Sequence, residues 1–284
     1  MKNVFSNLNA RIGLLTTALA ALVLYGCATG PSSQTPPTLK SAYKKHFYVG
    51  VAINRTIAMN AAVRADNVNR TQEQVEKDIA LVKTQFNQIS PENDLKWALV
   101  QPYEGPSGYD FAPADAYVKF GMDNHMYIVG HTLIWHSQTP AWVFGASNSP
   151  PPAGWVPGQA AAGGRGGGGG FGGGRGGGAG GPPATREQLL QRMHDHIATV
   201  VGRYKGKIKV WDVVNEAIAD GGTNILRDAN SRPPSLWESI IGPDFIAKAF
   251  QYAHEADPNA ILRYNDYSLE NPDKRRKLIT LIKS

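Results

Sequence analysis

The chain has 284 residues, 42% of them apolar, and a formal net charge of +6. That is enough apolar material for one domain core of roughly 200–250 residues, and it excludes a chain disordered throughout. So small a charge excess does not require a nucleic-acid partner, and a single cysteine excludes an intrachain disulfide and a cysteine-built metal cluster.

The first segment has the form of an export signal. Lys2 and Arg11 flank its start, and Ile12 to Tyr25 is an apolar run too short to span a bilayer as a helix. Leu24-Tyr25-Gly26-Cys27 looks like a bacterial lipobox, with Cys27 as the lipidated first residue of the mature protein. The expectation is an exported lipoprotein facing the periplasm or cell surface, touching the membrane only through the anchor at Cys27. Residues 28–44, rich in Pro, Ser and Thr up to Ala42, are expected to form a flexible tether.

From residue 45 onward the chain alternates. Phe47–Ile53 predicts a buried strand, and Thr71–Phe86 has helical spacing with Val75, Ile79, Val82 and Phe86 on one face. Phe86–Ile89, Met126–Ile134, Ile208–Val214 and Ala260–Tyr264 predict further strands. Helices are predicted over Ala114–Asn124, over Arg186–Tyr204 with Thr185 as N-cap, over Asp244–Ala256, and from Pro272 onward. Residues 159–183 interrupt the third unit as a Gly-rich insertion: 15 of the 31 glycines lie between Gly163 and Gly181, a composition that packs no core.

Five strand–helix units in succession predict a parallel sheet with helices outside, either doubly wound or a (β/α)8 barrel. The strand ends favour the barrel. Each finishes in polar residues, and barrel enzymes gather such ends into one site. No G-x-G-x-x-G follows the first strand.

Glu216 leaves the apolar run Val210–Val214, and partial desolvation of a carboxyl group there suits general-acid work; a strand-end glutamate capping the next helix is the equal alternative. Asn215 is a donor for a substrate hydroxyl. Glu92-Asn93-Asp94-Leu95-Lys96-Trp97 and His131 to Gln138 mix planar polar groups with indoles, the combination that holds sugars; core packing is the lesser alternative for Trp135 and Trp142. His131 and His136 lack a completing carboxylate, so no metal is expected.

WDVVNE at Trp211–Glu216 resembles the acid/base signature of glycoside hydrolase family 10, the retaining endo-1,4-β-xylanases. HTLIWHSQ at His131–Gln138, ENDLKW at Glu92–Trp97 and YNDY at Tyr264–Tyr267 are similar to that family's other strand-end motifs, in the same order. The resemblance implies a (β/α)8 barrel, xylan or xylo-oligosaccharides as substrate, no cofactor and no metal. It implies Glu216 as acid/base, Asn215 on the 2-hydroxyl of the cleaved sugar, and His131 and Trp135 lining the same subsite. Glu92, Asn93, Lys96 and Gln138 would hold sugars on the non-reducing side. Tyr267 would stack on the leaving-group side, with Asn265 near the reaction centre; Ser268 replaces an asparagine frequent in the family. The family's nucleophile, a Glu in a T-E-L-D-like motif on the seventh strand, has no counterpart in the sequence. The chain is therefore expected to hold about the first five of eight units and to hydrolyse little or nothing alone. A non-catalytic xylan-binding protein and a nonfunctional remnant are the alternatives.

Overall fold

The computed structural model describes residues 36–62, 69–145, 150–157 and 182–284. The segment read as an export signal, Cys27 and the Gly-rich insertion up to Gly181 lie outside the described residues. The chain divides into two units, residues 1–38 and 39–284; the second holds every strand. Among the described residues, no helix is long and apolar enough to cross a membrane.

Five parallel strands form one sheet: β1 (Gly50–Ile53), β2 (Gln88–Pro91), β3 (Tyr127–Trp135), β4 (Val210–Asn215) and β5 (Ile261–Asn265). Five main helices follow them: α1 (Gln72–Gln85), α2 (Ala112–Asp123), α3 (Arg186–Arg203), α4 (Phe245–Ala256) and α5 (Pro272–Lys283). The spatial order is β1-β2-β3-β4-β5, so each strand joins beside its predecessor and the order never reverses. A doubly wound sheet needs a reversal. Right-handed crossovers that always step the same way keep the helices on one face, which is barrel winding.

Capping explains where the helices start. Thr71 and Thr185 each accept from the backbone three residues on, and Gln74 and Gln188 return the bond, two complete capping boxes. Asn271 caps α5, with Pro272 in its first turn. Helix α3 buries Leu189, Met193, His196, Ile197, Val200 and Val201, the single stripe its spacing predicts. Two readings change. Leu39–Ala42, inside the stretch read as tether, is a short helix whose first N–H donates to Gln85 Oε1 at 2.9 Å. Strand β2 begins at Gln88, because Phe86 still closes α1 with its N–H on the Val82 carbonyl.

Strand β4 is buried at every position, whereas β5 alternates between exposed and half-buried as an edge strand. Trp211 is fully buried and pairs across the sheet with Gly130. Outside the sheet, Trp97 stacks on His196 at 3.7 Å between ring centroids, with Trp142 and Trp237 around them.

Burial holds the His196 imidazole neutral, lowering its pKa from 6.5 to about 3. His136 is lowered to about 4, by burial and then by the nearby Arg227. Above pH 6.5 neither group costs stability. Below it the unfolded chain takes up protons that the folded chain refuses, so stability falls as pH drops towards 3. In urea melts between pH 7 and 4, His196→Phe is expected to lose stability less steeply than wild type. Parallel slopes would sink this assignment.

The ends flanking the Gly-rich insertion meet. Gly145 and Pro183 form an antiparallel bridge, and Ala184 N–H donates to Phe144 O at 2.9 Å. Arg192 on α3 braces the first end, donating to the carbonyls of Trp142, Val143 and Gly145 at 3.1, 3.0 and 2.6 Å. Loop-closure entropy varies only as the logarithm of length. Replacing residues 158–181 by a short Gly/Ser turn is therefore expected to leave the melting temperature unchanged or raise it by a few degrees; a lowered one, read by calorimetry, would contradict this.

Candidate active site

Parallel register levels the strand ends. Trp135, Asn215 and Asn265 share one row of the sheet, and His131, Asp212 and Arg263 share another nearer the core. In the lower row His131 Nδ1 lies 3.1 Å from Asp212 Oδ2. Arg263 Nε donates to Asp212 Oδ1 at 3.1 Å, and Thr132 Oγ1 donates to the Asp212 carbonyl at 2.8 Å. Asp212 thus fixes the imidazole orientation. Sequence reasoning missed it, although a lone carboxylate inside the apolar run Val210–Val214 signals a buried group in need of partners.

In the upper row the Asn215 and Asn265 amides face each other at 2.8 Å. Glu216 follows at φ 55°, in the left-handed region that costs a non-glycine residue about 1–3 kcal/mol. Four contacts hold it there, one of them a hydrogen bond between the His136 side chain and the Glu216 backbone. Trp135 Nε1 donates to Glu216 Oε2 at 2.9 Å, Glu216 N–H donates to Asn265 O at 2.8 Å, and Arg227 Nε donates to the Glu216 carbonyl at 2.9 Å. Its carboxylate is held in the site by an indole. Trp135 is fixed in turn, because its carbonyl accepts from Trp237 Nε1 at 3.0 Å and from Thr139 Oγ1 at 2.7 Å. The two tryptophans read together separate here: Trp135 is half-buried in the site, while Trp142 is buried in the core.

Beside Trp135 stands a polar lattice from β2 and β3. Lys96 Nζ donates to Asn93 Oδ1 at 2.7 Å and Gln138 Oε1 at 2.8 Å, and lies 4.8 Å from the Trp135 ring centroid. Gln138 Nε2 donates to Asn93 Oδ1 at 3.2 Å. Glu92 is exposed at the rim. Below the lattice Arg55 grips Asp94 at 2.7 Å, tying the connection after β1 to that after β2. Asn54 does not join the site: it accepts from Thr56 and Ile57 N–H as the N-cap of the short helix Arg55–Met59.

A charged chain lies on the other flank. Tyr267 donates to Asp220 and accepts from Arg227 at 2.7 Å; Lys274 Nζ is 3.4 Å from the Tyr267 ring centroid. Lys274 also pairs with Asp220 and Asp266, at 2.8 Å each. Burial disfavours the Asp220 charge, but Lys274, Tyr267 and Arg227 outweigh it and hold the carboxyl at about 2. Arg227 and Lys274 come from the long connection after β4 and from α5, where no spacing pattern marked them.

Residues 38–284 match the family model described as Glycosyl hydrolase family 10. The chain is 37% identical over 247 residues to a β-1,4-xylanase of Dictyoglomus thermophilum, covering 87% of this chain and 52% of that one. It is 37% identical to an endo-1,4-β-xylanase of Geobacillus stearothermophilus, covering 87% and 58%. Among solved structures it is similar to xylanase 10B of Thermotoga petrophila in complex with xylobiose, with TM-score 0.62, 33% identity, and 87% and 58% of the two chains covered. The chain spans little more than half the length of these relatives, and its five units correspond to part of their TIM barrel. The chain belongs to glycosyl hydrolase family 10.

Proposed function

We propose that this chain carries the acid/base half of a retaining endo-1,4-β-xylanase. The observation that carries the reading is the Glu216 carboxylate, held by Trp135 Nε1 at the strand end beside the Asn93–Lys96–Gln138 lattice. In double displacement Glu216 protonates the glycosidic oxygen as the bond to the anomeric carbon breaks, then takes a proton from the water that releases the sugar. Asn215 and His131 face the sugar being cleaved. Asn93, Lys96 and Gln138 hold the sugars on its non-reducing side, Tyr267 stacks beyond the scissile bond, and Asn265 supports Asn215. No cofactor enters this chemistry.

Retention also needs a second carboxylate about 5–5.5 Å from the first. Three described carboxylates nearby are committed elsewhere, Asp212 to His131 and Arg263, Asp266 to Lys274 and Tyr264, Asp220 to Arg227 and Lys274, and Glu92 lies exposed at the rim on the non-reducing side. These 284 residues alone therefore bind xylan without cleaving it. The apolar segment before Cys27 supports export with a lipid anchor.

Calorimetric titration with xylotriose tests the reading. Lys96→Met and Gln138→Leu are each expected to weaken binding about 10–100-fold, the loss for a hydrogen bond involving a charged group. Equal affinity in both variants and wild type would remove the lattice from the sugar site.

A further inference from the structure

Glu216 stands in a backbone conformation that L-residues rarely adopt, and beside a hydrogen bond from His136 to its backbone, a fully buried side chain secures it from outside the sheet. The Arg227 side chain is 1% exposed. Its Nε donates to the Glu216 carbonyl at 2.9 Å, while one terminal nitrogen donates to Asp220 Oδ2 at 2.6 Å and to the Tyr267 hydroxyl at 2.7 Å. We propose that Arg227 is the positioning residue for Glu216, locking the left-handed turn that aims its carboxylate at Trp135 and referencing it to Tyr267. The proposal rests on reading Glu216 as the acid/base.

Geometry makes the role specific to arginine. The Glu216 N–H is already fixed by Asn265 O, so the peptide after Glu216 is the remaining freedom. If that peptide rotates towards the extended conformation favoured by non-glycine residues, the carbonyl turns from Arg227, Cβ swings with it, and Oε2 leaves the indole. A guanidinium offers donors at fixed angles, so the bond to Asp220 sets where Nε points. A lysine ammonium is a single centre, and from one position it does not serve both the Glu216 carbonyl and the Asp220–Tyr267 pair.

The Trp135 indole N–H reports directly on the carboxylate and requires no turnover. Its proton resonance in the ¹⁵N-labelled full chain is assigned by its loss in Trp135→Phe. It is expected downfield in wild type, as donor to a carboxylate, and upfield in Glu216→Gln. Arg227→Lys and Arg227→Gln are expected to move it upfield as well, while the remaining indole signals and the cooperative thermal transition persist. Asp220→Asn, which keeps Arg227 but weakens its orienting partner, is expected to give a smaller shift the same way. It carries the test if the Arg227 variants fail to fold. A Trp135 signal unmoved in the folded variants, or indifferent to Glu216→Gln, would overturn the proposal; a lowered melting temperature with an unmoved signal would make Arg227 only a brace. Xylotriose titrated into wild type separates the two questions. Absence of binding would sink the xylan reading and leave the Arg227 result standing.

Discussion

Incubated with xylan, the 284-residue chain is expected to release no more reducing sugar than its own Glu216→Gln variant. Protonation by a placed acid is worth about 10²–10⁴-fold, but only for a bond that something else is also attacking. In a retaining enzyme that attack comes from a second carboxylate about 5–5.5 Å away. Three described carboxylates near the site are held by cations or hydroxyls: Arg263 on Asp212, Arg227 and Lys274 on Asp220, Lys274 and Tyr264 on Asp266, while Glu92 stands exposed at the rim. Freeing Asp266 to attack an anomeric carbon would break its buried ion pair with Lys274, at a cost of about 3–5 kcal/mol, and freeing Asp212 or Asp220 would strip each of its cations. The assay is reducing-sugar release from xylan with matched folded protein. Hydrolysis that retains anomeric configuration and disappears in Glu216→Gln would mean that a carboxylate within this chain serves as nucleophile. In a protein that also carries the second carboxylate, Glu216→Gln is expected to lower kcat on xylan about 10²–10⁴-fold. Aryl xylosides, whose leaving groups depart without a proton, would suffer far less in the first step.

The largest effect on stability is expected from Gly130→Ala. A β-carbon there would lie 2.2 Å from Cε3 of Trp211, well inside contact distance. Trp211 is fully buried on β4, so its ring has no solvent to move into. The strands must separate or the indole must leave its rotamer, and such overpacking costs about 1–3 kcal/mol or more. A chain of this size loses about 2–4 °C for each kcal/mol. The damage would not stop at stability. Gly130 precedes His131, and the register that sets Gly130 against Trp211 also sets His131 against Asp212. Thermal unfolding and xylotriose affinity should therefore fall together. A variant that melts with wild type would show that the β3–β4 contact yields without penalty.

Much of this architecture was legible in the chain itself. All five strands lie within two residues at their C-terminal ends of the apolar runs that predicted them, and for the interior strands β3 and β4 the reason is that a buried parallel strand needs apolar residues on both faces. The first prediction, a buried strand over Phe47–Ile53, is corrected: pairing starts at Gly50, Phe47 and Tyr48 are exposed, and only Ile53 is buried, because β1 is an edge strand of the sheet. The short helices Trp97–Val100 and Leu236–Ile241 were not legible, being too brief for any periodicity. That Glu216, Trp135, Asn93, Lys96 and Gln138 come together was legible because motifs at successive strand ends carry them. The His131–Asp212–Arg263 row was hidden, because it depends on register between strands far apart in sequence. Arg227 and Lys274 were hidden for a different reason. Each is one cation among 29, distinguished only by what the fold brings to it.

The bridge between Gly145 and Pro183 turns the connection between β3 and α3 into a graft point. Because the neck is closed before the guest begins, selection can lengthen, shorten or exchange what hangs there without renegotiating the sheet. The neck also follows the strand that bears His131 and Trp135, so whatever is grafted leaves the sheet at the end that carries the candidate site.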